Sequence, residues 1–401
     1  MTSAASVQTP VTSKAVHDGL ALDDRPHVLL VIDQIRQIGG AERMIIEIAR
    51  RLPADRFRCS LLTFDIDPTL DLLDGLPCPL HVLSLRRTFD LHALGMALQL
   101  RRLVRRERVS IVHTFFETSD LWAAPIAKLS GCPVLISSRR DLGILRTRKH
   151  KLFYPYANRL FDRVLAVSNE VRDFCISEDR LSLERVQTLY NGVDLEDLDG
   201  KAKEFDARLE FGIAESVPVI CALANIRRLK GIDVLVHAAA RVCKNWPQAV
   251  FLVVGKPLES DVYADLQRLV TSLNLNANFR FVGAFANPYP ILRASNIFCL
   301  PSRSEGFSNS LLEAMSCRVP CIATRVGGNA EAIEEGKSGF LVNSEDHDFM
   351  ADRILLLLAD AERAKLMGET ARRNVEARFS MQLMISQLTR IYDGLLAAKH
   401  A

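Results

Sequence analysis

Two doubly wound, Rossmann-like α/β domains are predicted for this 401-residue chain by three features of its sequence. Short apolar or β-branched runs alternate with amphipathic segments of helical length from end to end, the pattern of a parallel sheet covered by helices. Glycine-containing loops follow several of these runs and lead into helical segments, where a doubly wound sheet carries its ligand-binding loops. A charged, turn-rich interval from Asn191 to about Ser216 interrupts the alternation and leaves one strand series on either side.

The first series opens with a strand at 28–33, the loop Gly39-Gly40, and a helix at 41–52 whose Met44, Ile45, Ile48 and Ala49 fall on one face. Further strands are expected at 59–64, 111–113, 134–137, 164–167 and 186–189. The second series comprises 217–223, 250–254, 279–282, 297–300, 321–323 and 339–342, with helices between. This divides the chain into a flexible tail at 1–25, a first domain at 26–195 and a second at 196–380. A final helix, centred on 382–398 within a 381–401 segment, is expected to pack back on the first domain.

Composition narrows the class. The longest apolar runs, 28–32 and 250–254, are far too short to cross a bilayer, so no membrane span is expected. The amino terminus lacks an apolar core before a cleavage site, which argues against a secretory signal. Nine cysteines are scattered without a CxxC pair, and Cys317 and Cys321 have no histidine at metal spacing. Neither a disulfide framework nor a zinc site is supported, and a reducing, cytoplasmic location follows. Net charge is only +3, but residues 86–159 hold fifteen Lys or Arg against five Asp or Glu. That window could face an anionic surface.

The most informative stretch is Ser302-Arg-Ser-Glu-Gly-Phe-Ser-Asn-Ser-Leu-Leu-Glu-Ala-Met, which follows a predicted strand and enters a helix near Ser310. A helix amino terminus offers unpaired N–H groups and partial positive charge to a pyrophosphate, and Gly306 permits close backbone approach. Glu305 and Glu313 flank that helix start. A purely structural reading also exists, since Ser310 and Glu313 have capping-box spacing.

The Glu305–Glu313 spacing, with seven residues between, resembles the paired-glutamate motif of family 4 glycosyltransferases, retaining enzymes of the GT-B fold. The likeness extends over both domains: Gly39-Gly40-Ala41-Glu42-Arg43 resembles the family's amino-domain glycine loop, which approaches the donor phosphates. Tyr190-Asn191-Gly192-Val193-Asp194 resembles its interdomain strand end, and Gly327-Gly328-Asn329-Ala330-Glu331 a further loop. The resemblance implies two facing domains around a cleft and a nucleotide-sugar donor held mainly by the second. Glu305 would hold hydroxyls of the transferred sugar and Glu313 the donor ribose, with Gly306, Phe307 and Ser308 completing the donor loop beside Gly39 and Gly40.

In similar enzymes an Arg and a Lys after the first strand of the second domain neutralise the diphosphate. Lys230 matches that Lys, whereas Asn225 occupies the commonest position of the Arg, so Arg227 is taken as its substitute and Arg228 as a surface residue. Many relatives carry a His after a first-domain strand near the donor sugar; here Arg139 stands in its place and would offer donors to phosphate or carboxylate. His113 reads better as a structural histidine. No dedicated base is evident, and the family precedent is attack from the leaving-group side with a donor phosphate oxygen taking the acceptor proton. No cofactor or metal is expected.

Asp65-Ile66-Asp67 has the form of a metal-binding DxD but follows an early strand and reads as a loop. Gly336-Lys337-Ser338 lacks the upstream glycine of a phosphate-binding loop, and no GxGxxG follows the first strand. The stretch Arg146-Thr-Arg-Lys-His-Lys-Leu-Phe-Tyr-Pro-Tyr156 combines cations with apolar and aromatic residues and suits either an anionic membrane surface or a solvated helix face. Nucleic acid is not an expected partner. The expected activity is transfer from a UDP- or GDP-sugar to a sugar hydroxyl of a glycan or lipid-linked acceptor, in cell-surface polysaccharide synthesis. The alternatives are a nucleotide-sugar 2-epimerase and a non-catalytic subunit of the same fold.

Overall fold

The computed structural model describes residues 24–37, 39–70, 73–85, 87–143 and 146–400; the expected tail lies almost wholly outside them. Among these residues, one sheet contains β1 His27–Ile32, β2 Arg58–Thr63, β3 Leu80–Val82, β4 Val109–Phe115, β5 Val134–Arg139, β6 Arg163–Ala166 and β7 Val186–Thr188. Its spatial order is β3-β2-β1-β4-β5-β6-β7, parallel throughout. A second parallel sheet contains β8 Val219–Leu223, β9 Val250–Val254, β10 Phe279–Gly283, β11 Ile297–Leu300, β12 Cys321–Thr324 and β13 Gly339–Val342. Its order is β10-β9-β8-β11-β12-β13.

The helices accompanying the first sheet are α1 Gly40–Arg51, α2 Leu91–Arg106, α3 Ala124–Leu129, α4 Arg148–Ala157 and α5 Asn169–Ser177. Two short helices, α6 Leu195–Lys201 and α7 Ala207–Glu210, bridge to the second sheet. There follow α8 Ile232–Asn245, α9 Ser260–Ser272, α10 Tyr289–Arg293, α11 Asn309–Ser316, α12 Asn329–Ala332, α13 His347–Ala359, α14 Ala361–Arg378 and α15 Met381–His400.

Every residue of β1 and β9 is buried, as a strand covered on both faces requires. Met44, Ile45 and Ile48 of α1 join Met384, Leu388 and Tyr392 of α15 over one face of the first sheet. Leu100 and Val104 of α2, Ala127 of α3 and Val171 of α5 cover the other. That second cluster continues through Phe307 and Phe379 to Leu311 and Leu312 of α11, so one core serves both sheets. Leu235 of α8, Leu266 of α9 and Met350 of α13 close the remaining face of the second sheet.

α15 is tied to the first sheet at its start, where Val193 bridges Ser380 and Gly192 lies so close to Met381 that a Cβ would fall 2.6 Å from its Cα. His113 belongs to this packing: its ring nitrogens meet Tyr392 Oη at 2.7 Å and Ser138 Oγ at 2.8 Å. Burial drives its pKa down to about 3, so it stays neutral and structural. Asp65 pairs with Arg36 and Asp67 accepts from Thr69, while Ser338 accepts from the backbone of Glu334. Strand order reverses between β1 and β4 and again between β8 and β11, and loops leaving these strands frame the crevice of such a sheet.

Candidate active site

The loop leaving β8 turns back at Gly231, whose φ is +60° and where a Cβ would lie 2.0 Å from the carbonyl oxygen of Pro301. No other residue fits that contact, and it presses the turn against the exit of β11. Lys230 Nζ thereby donates to Glu305 Oε1 at 2.7 Å, and Ser302 Oγ donates to the same oxygen at 2.6 Å. The Lys230–Glu305 pair bridges the β8/β11 switch point. Arg227, extended at the start of this turn, contributes positive charge near Glu42 of α1. Arg228 is exposed, as its surface reading requires.

α11 begins at Asn309 rather than near Ser310, because Ser308 is its N-cap and accepts from the Leu311 amide at 3.3 Å. No capping box forms with Glu313. Glu313 instead accepts from Arg43 Nη1 at 2.7 Å, with its side chain only 8% exposed. Burial pushes the Glu313 pKa up, and the Arg43 charge opposes that rise.

Three residues of the expected donor loop also have roles within the protein. Phe307 does not face the cleft: it is buried, with ring centroids 5.2 Å from Tyr190 and 5.3 Å from Phe379. The Ser308 hydroxyl is engaged in capping. Gly306 is required by the protein itself, since a Cβ there would lie 2.0 Å from the carbonyl oxygen of Arg140.

On the facing side, Gly39 caps α1 without a side-chain hydrogen bond. The Glu42 carboxylate fills that role, receiving the Gly39 and Glu42 amides; burial raises its pKa while Arg140 and Arg227 pull it down. Arg140 Nη2 donates to Asn191 Oδ1 at 2.6 Å, Asn191 Nδ2 to Asn309 Oδ1 at 2.6 Å, and Asn309 Nδ2 to the Gly40 carbonyl at 3.2 Å. This chain of polar contacts ties both cleft walls together.

Arg139, expected to offer donors to phosphate or carboxylate, is bonded within the first domain. Its side chain is 3% exposed, Nη2 donates to Asn158 at 2.8 Å, and Nη1 lies 3.3 Å from Asp120. Burial opposes its charge, yet Asp120, Tyr154, Cys175 and Asp179 hold the guanidinium above its ordinary value. These contacts hold it in the interior of the first domain, with only Nε and Nη1 left without a hydrogen bond. Its neighbour Arg140 does line the cleft wall, and burial draws its pKa down to about 10.

The second glycine pair supports the donor loop from behind. Gly327 has φ +53°, and a Cβ on it would fall 1.9 Å from the carbonyl oxygen of Glu305. Glu331, just beyond, accepts from the Asn169 amide at 2.9 Å, the Glu170 amide at 3.1 Å and Tyr190 Oη at 2.8 Å, capping α5 across the domains. Sequence reasoning assigned no role to Arg43, Arg140, Asn191, Asn309 or Glu331 individually. For Arg43 a signal existed: a cation in the first turn of a helix opposes the macrodipole, which is unfavourable unless something else holds it there.

Comparison with known proteins fits this geometry. Residues 38–197 match the family described as Glycosyltransferase Family 4, and residues 204–374 the one described as Glycosyl transferases group 1. The chain is 31% identical over 317 residues to the N-acetyl-alpha-D-glucosaminyl L-malate synthase of Bacillus anthracis, covering 76% of this chain and 79% of that one. It is 25% identical over 374 residues to the UDP-Gal:alpha-D-GlcNAc-diphosphoundecaprenol alpha-1,3-galactosyltransferase of Escherichia coli, covering 90% and 95%. Among solved structures, Anabaena HepE in complex with UDP and glucose superposes with a TM-score of 0.81 at 22% identity, covering 92% of this chain and 99% of that one. Two facing doubly wound sheets, the Glu305–Glu313 pair beside Lys230, and relatives matched over most of their length converge: this chain is a glycosyltransferase and belongs to family 4 of the GT-B fold.

Proposed function

We propose that the protein moves a sugar from a UDP- or GDP-activated donor, with retention of anomeric configuration, to a sugar hydroxyl of a glycan or lipid-linked acceptor in cell-surface polysaccharide synthesis. The observation that carries this reading is the Lys230–Glu305 contact at 2.7 Å across the switch point, with Glu313 on the adjoining helix and the start of α1 opposite. A diphosphate in this crevice would compete with Glu305 for Lys230 and with Glu42 for Arg227 and the first amides of α1. Glu305, released from Lys230, would hold hydroxyls of the transferred sugar, and Glu313, exchanged from Arg43, the ribose. Fixed cations that meet charge developing on a departing diphosphate supply electrostatic catalysis, for which one donor group contributes about 10²–10³ in rate.

The names of the relatives support donor and acceptor class: the E. coli enzyme uses UDP-galactose and a diphosphoundecaprenol-linked sugar. A membrane-linked acceptor also fits the outer face of the first domain. On α2, Leu91, Leu94, Leu98, Arg101 and Arg105 follow one another along one helical face, all exposed, with Phe89 just before them at 90% exposure. Leu152, Phe153 and Tyr156 of α4 are exposed beside Arg148 and Arg159. Apolar groups that enter a headgroup layer, backed by cations each contributing about 1 kcal/mol on an anionic surface, give peripheral attachment. Among the described residues, no helix is long and apolar enough to cross a membrane.

The test is a thermal-shift screen of UDP- and GDP-sugars, since a ligand that binds only the folded state raises Tm. One nucleotide class should stabilise the protein, and its sugar should appear on an acceptor with the anomeric configuration kept. No shift with either class, or an inverted product, would refute the corresponding part. Sedimentation with phosphatidylglycerol vesicles, compared with phosphatidylcholine, tests the surface.

A further inference from the structure

The β1/β4 switch point of the first sheet holds a second polar site that the donor reading does not use. Phe116, the residue after β4, has φ +76°, a strained value for an aromatic side chain. Asp33, just past β1, locks the turn by accepting the Thr118 amide at 2.9 Å and the Ser119 amide at 2.7 Å. Glu117 is thereby directed into a cavity of about 10 Å³ whose charged walls besides it are Asp120, Asp141, Arg139, Arg140 and Arg146, with Ser138 and Tyr154 also lining it. That is close to the room one oxygen requires.

The cavity grades from mouth to floor. Glu117 keeps 18% of its side-chain surface and lies 3.6 Å from Arg146 Nε, whereas Arg139 and Arg146 keep 3% and 5%. At the floor, Arg139 Nε and Nη1 and Arg146 Nε donate no hydrogen bond, although buried N–H groups seldom go unpaired. Arg140 links this site to the donor loop, because its carbonyl lies against Gly306. Glu117, Asp120 and Asp141 line the cavity and Asp179 accepts from Arg146 Nη1 at 2.6 Å, so four carboxylates meet three guanidinium groups and an anion gains little here. A hydroxyl, which both donates and accepts, can meet a carboxylate and a guanidinium N–H together.

We propose that this cavity is the acceptor subsite and takes a ring hydroxyl of a neutral glycoside, with Glu117 accepting its hydrogen bond. The proposal rests on the transferase reading, since the hydroxyl must meet a sugar held at Glu305. It separates two tasks: any anionic linker of the acceptor stays outside, and the sugar ring is read by Glu117. Burial and the nearby Asp141 both disfavour the Glu117 charge and raise its pKa.

The experiment measures binding by saturation-transfer NMR and calorimetry with UDP or GDP present. The probes are methyl α-D-glucopyranoside and methyl N-acetyl-α-D-glucosaminide, set against L-malate and inositol 3-phosphate. The glycosides should bind and the anions should not. Glu117→Ala should weaken glycoside binding tenfold or more, Glu117→Asp should recover part of it, and the nucleotide Kd should stay within twofold. Glu117→Gln, which keeps the shape if the alanine variant folds poorly, should weaken glycoside binding with a Tm at or above that of the wild type. Preference for malate or inositol 3-phosphate, undiminished glycoside binding in both the Ala and Gln variants, or nucleotide binding without any glycoside binding would each overturn the subsite. Absence of both UDP and GDP binding in the wild type would instead overturn the transferase reading beneath it.

Discussion

Gly39-Gly40 and Gly327-Gly328 look interchangeable in the sequence, yet the fold uses them in opposite ways. The first pair leads into the 12-residue helix α1 with ordinary backbone angles, and a Cβ at Gly40 would meet only the Asn309 side-chain amide, at 3.1 Å. The second leads into a helix of 4 residues, and its missing side chains admit the Glu305 carbonyl to 1.9 Å and the Phe307 ring to 2.1 Å of the Cβ positions. A Cβ at Gly39 would meet the Glu42 carboxylate, so the first pair is bordered by side chains able to move aside, whereas the second is filled by a backbone carbonyl and a packed ring. A glycine pair after a strand therefore signals close approach, and only the fold reveals whether the approaching group belongs to a ligand or to the chain.

The largest expected effect tests the packing pair. Gly327→Ala combines a positive φ with an overlap against backbone that cannot move aside, and should cost on the order of 4 kcal/mol or more. A urea titration showing a wild-type midpoint would end the claim that this loop braces Glu305. Next comes the ligand side of the same brace. Lys230→Ala and Glu305→Ala should each lower transfer by about 10²–10³ while leaving the unfolding midpoint close to that of the wild type. Full activity in either variant would remove the donor-site assignment.

What could be read in advance follows the same division between local and distant contacts. The runs 250–254, 297–300 and 339–342 coincide with β9, β11 and β13 because a strand buried on both faces is apolar without interruption. β3 was not anticipated: it has 3 residues at a sheet edge, too few to show a period. Lys230, Glu305 and Glu313 were legible as strand-exit and helix residues in a recognisable order. Arg139 was legible as a strand-end residue, but its burial was not. It is the last residue of β5, 3% exposed and bonded to Asn158, whereas Arg140 lies just past the strand end and reaches Asn191. The Arg43–Glu313 and Arg140–Asn191 contacts join segments 270 and 51 residues apart, and no periodicity encodes such pairs.

Arg43 sharpens the comparison, because it grows from the open glycine pair and reaches the helix behind the other wall. Glu313 has a pKa raised by burial and restrained by Arg43. A carboxyl whose folded pKa exceeds its unfolded one binds more protons in the native state, so its contribution is present at low pH and lost as pH climbs through the folded value. Arg43→Ala removes the restraint and lifts that value further. The stability lost by the variant should therefore widen between about pH 5 and about pH 8, by about 1–2 kcal/mol. Equal losses at the two pH values, measured by urea unfolding, would show that the Arg43 charge is not what makes the buried carboxylate tolerable.

The smallest structural effect belongs to Gly40→Ala, and it is the most discriminating between the two glycine pairs. Gly40 is the first residue of α1, where alanine is intrinsically preferred over glycine by up to about 1 kcal/mol, and the one group a Cβ would crowd is a side chain able to shift. Stability should be unchanged or slightly higher. If the space beside this helix start receives the donor's diphosphate, the added methyl group occupies part of it, and the nucleotide Kd should rise about tenfold, or about 1.4 kcal/mol. Calorimetry with UDP and GDP decides the matter. An alanine variant that binds nucleotide as tightly as the wild type would make Gly39-Gly40 a turn and nothing more, and the contrast with Gly327-Gly328 would reduce to a difference in packing.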